Sequence, residues 1–118
     1  MTYSTILEKQ LLSLNTCGIY LSNHDIVTMG KELSICLPYK KRTLILQKLF
    51  TQAADTKCTD RLMTLLCELF TQRIDEYRML GNTIKSLRPI VAIWIQKATA
   101  SKYLIQKELT LHVKDKNA

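Results

Sequence analysis

Residues 59–84 carry the pattern that most restricts what this chain can fold into. Leu62, Leu66, Leu69, Phe70, Tyr77, Leu80 and Ile84 fall on one side at 100° per residue. Arg61, Thr64, Glu68, Thr71, Gln72, Asp75 and Arg78 fall on the other. A strand alternates its side chains with a period of two and cannot satisfy such a stripe. The spacing predicts an amphipathic helix of about six turns that must bury its apolar side against other helices. One charge, Arg73, sits inside that apolar stripe. The sequence "GNT" at 81–83 reads either as the stop or as a weak point carried through.

The remaining segments have the same texture. The chain holds only three Gly and two Pro, too few for the many tight turns of an all-β domain. A first helix is predicted from Thr5, where "TILE" reads as a capping box, with Ile6 or Leu7, Leu11 and Leu14 on one face and Asn15 and Gly18 as the stop. A second follows Ser22 or Asn23, with Asp25 near its positive end. Ile26, Met29, Leu33 and Cys36 or Leu37 form its stripe, and Pro38 ends it. A third runs from about Pro38 to Ala54 on Ile45, Leu46, Leu49, Phe50 and Ala53, and the long helix is the fourth. The fifth opens at "SLRP", with Pro89 in its first turn. It carries two apolar stripes: Val91, Trp94, Ala98, Ile105 and Leu109, and then Ile93, Ala100, Leu104 and Leu111. The end "KDKNA", about 114–118, reads as a frayed tail. The expectation is all-α: a compact bundle of about five helices forming one domain over 1–118. Antiparallel neighbours would join by short loops, helices two with three and three with four forming hairpins.

Two stretches nearly coincide, "KLFTQAAD" at 48–55 and "ELFTQRID" at 68–75. A period of twenty is too short for helix-pair repeats, and no third copy exists. Two helices presenting the same Leu–Phe face account for it.

Little in the chain points to chemistry. No G-x-S-x-G, H-E-x-x-H, C-x-x-C or phosphate-binding glycine loop occurs. The two histidines, His24 and His112, have no nucleophile set beside them in sequence. His24 and Asp25 are adjacent, and adjacent helical residues do not face each other. The spacings of Cys17, Cys36, Cys58 and Cys67 match no metal pattern. Cys36 and Cys67 occupy apolar-rich positions suited to burial, and Cys58 follows Lys57 near a helix start. No catalytic, cofactor-binding or metal-binding residue is assigned. No signal peptide and no membrane-length apolar run is read, so the expected setting is cytoplasmic with reduced thiols.

Charge and apolar excess indicate partners instead. The net charge is +7 and is concentrated late: residues 85–118 carry seven basic and two acidic groups. Tyr39, Lys40, Lys41 and Arg42 place cations at the start of the third helix, where they oppose the dipole and invite an anion. Residues 29–49 share some features of a helix-turn-helix, with Gly30 at the small-residue position. Ser34 in place of the turn glycine and Lys40 at a core position break that pattern. In the fifth helix the second apolar stripe exceeds what one-sided packing needs, and Trp94 has the character of an interface anchor. The expected function is non-enzymatic protein–protein interaction, adaptor or chaperone-like. Trp94, Ile93 and Leu104 would make the contact, and Tyr39, Lys40, Lys41 and Arg42 would steer an acidic partner. A homodimer through the last helix is one form of this reading. The alternative is a nucleic-acid-binding regulator using the basic start of the third helix.

Overall fold

The computed structural model of the protein describes the backbone of residues 3–38 and 40–117 and the side chains of 7–13, 16–38 and 40–111. Its frame is a helical hairpin. Helix α5 (Thr59–Thr83) and helix α6 (Arg88–Asn117) are joined by Ile84 and a 3₁₀ turn at Lys85–Leu87. They run antiparallel: Gly81 faces Val91, Cys67 lies near Lys102, and Asp60 and Arg61 lie near Leu109. Thirty helical residues span about 45 Å, so α6 accounts for the 46 Å long dimension of the molecule. Against this hairpin pack α1 (Tyr3–Leu12), the single-turn α2 (Leu14–Cys17) and α4 (Arg42–Asp55), and α3 (Asn23–Glu32) packs on α4. The architecture is all-α, with five helices of ten residues or more and no strand among the described residues.

The apolar stripes meet in one core. Leu7, Leu11, Ile19, Leu21, Ile26, Ile45, Leu46, Leu49, Leu62, Leu66 and Phe70 are buried in a single cluster. Full burial of each such side chain stabilises the fold by roughly 1.5–3 kcal/mol. The two similar octapeptides sit in α4 and α5, where Leu46, Phe50, Leu66 and Phe70 are all buried. They then diverge. Asp55 closes α4, whereas Asp75 stays exposed within α5 and pairs with Arg78 at 3.2 Å.

Several boundaries differ from the sequence reading. The first helix is already formed at Tyr3, so Thr5 is not its N-cap. It breaks at Ser13 before α2. The second helix ends at Glu32, well before Pro38. Leu33 is its C-cap and Ser34 adopts φ 60°, while the N–H groups of Ser34 and Ile35 donate to the carbonyls of Lys31 and Gly30 at 3.1 and 2.7 Å. This is a Schellman stop with serine at the left-handed position. The chain then runs non-helically from Ile35 to Pro38, burying Ile35 and Leu37 on alternate positions. Cys36, between them, is exposed, contrary to its expected burial. The third helix accordingly starts at Arg42, not Pro38. The "GNT" segment is carried through, and α5 ends at Thr83. Ser22 is the N-cap of α3 and completes a capping box with Asp25.

Arg73 is explained by the same corner. Its guanidinium donates to Asp25 Oδ1 at 3.0 Å, while Asp25 Oδ2 accepts from the Ser22 N–H at 3.0 Å. The charge inside the apolar stripe therefore ties α5 to the start of α3.

Candidate interaction surface

The region around Trp94 is built by a close approach of backbones. Gly18 has φ +88° and lies directly on α6, where a Cβ would overlap Ala98 N and stand 2.8 Å from the Trp94 carbonyl oxygen. From α5, the Tyr77 hydroxyl donates to the Gly18 carbonyl at 2.7 Å, and burial pushes the Tyr77 phenol pKa up. The Gly18 loop is thus clamped between both arms of the hairpin. Trp94 is half-buried there, with Lys97 Nζ 5.1 Å from its ring centroid. Further along α6, buried Ser101 accepts from Gln10 Nε2 at 3.1 Å, locking α1 to α6.

The two stripes of α6 have different fates. Val91, Ala98 and Ile105 are buried, with Trp94 and Leu109 half-buried. Of the second stripe, Ile93, Ala100 and Leu111 are exposed, and Leu104 is half-buried against the core. The helix is therefore not wrapped on all sides by its own chain. Ile93 and Trp94 are neighbours, whereas Leu104 lies three turns on, about 16 Å along the axis.

The basic segment is divided. Tyr39 lies outside the described residues. Lys40 and Lys41 are exposed and precede α4. Arg42 is committed internally: its guanidinium donates to the carbonyls of Leu12 at 2.7 Å and Leu21 at 3.0 Å and stacks on Tyr20 at 4.8 Å. It closes the C-terminal end of α1, where a cation is favoured. Between α3 and α4 run nine residues, 33–41. A helix-turn-helix joins its helices by three or four, so the connection does not have that motif's geometry.

Other chemistry finds little footing. Both oxygens of Asp25 are engaged by Ser22 and Arg73, while His24 is exposed. The His112 side chain lies outside the described ones. Among the described residues no three His, Cys, Asp or Glu side chains gather as metal ligands. Cys17 is buried and its thiol pKa is raised by that burial; Cys67 is raised for the same reason. Cys58 stands at the N-cap of α5, its Sγ 3.0 Å from Thr56 Oγ1. No described helix is long and apolar enough to cross a membrane.

The sequence reading missed the outer end of the hairpin. Met79, Leu80, Ile84 and Ile90 are 69%, 40%, 44% and 54% exposed, beside Ile93 at 53%. Helical spacing assigned Leu80 and Ile84 to the inward stripe of α5, and no local signal shows where the rest of the molecule stops covering it. Comparisons with family models, curated proteins and solved structures find no match to this chain.

Proposed function

We propose that the protein is a non-enzymatic helical module that binds another protein through the uncovered side of the α5–α6 hairpin beside Trp94. The observation that carries this reading is the exposed apolar surface of α6 around Ile93, set next to a half-buried tryptophan whose backbone the Gly18 loop approaches. Apolar patches that persist on a folded surface mark contact sites, and a tryptophan at the edge of such a patch is a suitable anchor. Lys40 and Lys41 add positive charge that speeds encounter with an acidic partner.

Photo-crosslinking in the native cell tests this. A benzophenone amino acid replaces Ile93 in one variant and the exposed Gln47 of α4 in another. A protein adduct from position 93 and none from 47 supports the reading. An adduct with nucleic acid, or no adduct, defeats it. Nucleic-acid binding has its own readout, since affinity through cations falls steeply as salt rises. Light scattering across concentrations identifies the homodimer form.

A further inference from the structure

The uncovered apolar residues at the hairpin's outer end continue its inward face. Leu80 lies about five full turns along the same line of α5 as Leu62, which is fully buried, and Ile84 caps the helix with its N–H donated to the Leu80 carbonyl at 2.8 Å. Ile90 is related in the same way to Glu108 of α6, which is 4% exposed. The inward face is thus covered at one end and bare at the other. The Gly18 loop touches the hairpin at Tyr77 and at Trp94–Ala98. From 78 to 93 only Gly81 and Val91 are buried, and they face each other across the hairpin. The result is an apolar ledge of Leu80, Ile84 and Ile90, with Trp94 at its inner edge.

Charge specifies what this ledge takes. No Asp or Glu occurs between Glu76 and Glu108, whereas Arg78, Lys85, Arg88, Lys97, Lys102 and Lys107 all fall there. A second copy docked face to face would set this cation-rich stretch against itself, which costs affinity. A flat lipid surface fits poorly to a step walled on one side by the Gly18 loop. An apolar segment carrying carboxylates satisfies both the ledge and its cations. Resting on the protein-binding reading above, we propose that the ledge docks an acidic amphipathic segment of another protein, its apolar side on Leu80, Ile84 and Ile90 and its carboxylates toward Lys85 and Lys97.

The test uses the full-length chain and a random peptide display library. Peptides are selected on the wild type and counter-selected on an Ile84→Asp/Ile90→Asp variant, whose folding is checked by its melting curve. Those residues are exposed, so the variant should melt as the wild type does. The expected result is enrichment of peptides with Asp or Glu and apolar residues at three- and four-residue spacing. Their binding should weaken by more than about tenfold in the double variant and also in Lys85→Glu, a change that leaves the apolar ledge intact. Enrichment of neutral or basic peptides overturns the proposal. So does undiminished binding to the variants. Binding to phosphatidylglycerol vesicles instead of peptides, or self-association abolished by Ile84→Asp/Ile90→Asp, also overturns it. If the peptides fail while position 93 still crosslinks to a protein, only this proposal falls. If both fail, the protein-binding reading falls with it.

Discussion

Two side chains sit in backbone conformations that favour glycine. Ser34 and Lys57 have φ of 60° and 58°, and each occupies the left-handed position of a Schellman stop, after α3 and after α4. A Cβ in that conformation costs about 1 kcal/mol, so Ser34→Gly and Lys57→Gly are each expected to raise the unfolding free energy by up to that amount, less the entropy glycine adds to the unfolded chain, and the denaturant midpoint rises with it. A lowered midpoint for either would show that the serine or lysine side chain holds its turn by other means. Gly18 is the opposite case. It is left-handed and also pressed on the α6 backbone, so Gly18→Ala should destabilise by about 2–4 kcal/mol, combining the conformational cost with overpacking. Chemical denaturation measures it, and a loss below 1 kcal/mol would mean that α6 yields at little cost. Glu8 supplies a pH-dependent prediction. Burial raises its carboxyl pKa, and Oε1 has no hydrogen-bond partner among the described residues. A raised folded-state pKa helps stability below the unfolded value and loses that help as pH rises through the folded one. Glu8→Gln should therefore raise the melting temperature at neutral pH, and the gain should shrink as pH falls into the carboxylate range. A gain independent of pH would assign the effect to packing.

Among the elements, the long amphipathic stripe of α5 was legible at once because its period alone determines helix and buried face. The end of α3 was not. Helix stops are read from glycine, and here serine takes the left-handed position, so Pro38 drew the boundary five residues too late. Arg73 was visible as an anomaly, but its partner Asp25 lies 48 residues away, beyond any local pattern. The same applies to Arg42, whose acceptors are carbonyls of Leu12 and Leu21. Its charge suggested a docking site, while its geometry makes it a brace. The Arg73–Asp25 tie is three-quarters or more withdrawn from solvent on the Asp side and about two-thirds on the Arg side. It also shares Asp25 with the α3 cap. Arg73→Ala should thus cost about 1–3 kcal/mol, more than a surface ion pair of up to about 1 kcal/mol. A double-mutant cycle with Asp25→Ala isolates the pair, and a coupling near zero would leave Asp25 as a cap alone.

For the whole molecule, the uneven covering of the hairpin implies uneven stability. Segments with few buried contacts open locally without global unfolding. Amides of 78–83 and 92–93, all within the two helices, should therefore exchange with deuterium far faster than those of 62–74 and 98–105, although all lie in the same hairpin. Their helical hydrogen bonds are alike, so only the missing tertiary cover separates them. Equal protection throughout would mean that Gly81 and Val91 alone suffice to hold the end closed. A bound partner supplies the missing cover, so slowed exchange should then appear first at 78–83 and 92–93. An adduct that protects some other stretch would move the contact surface away from Trp94.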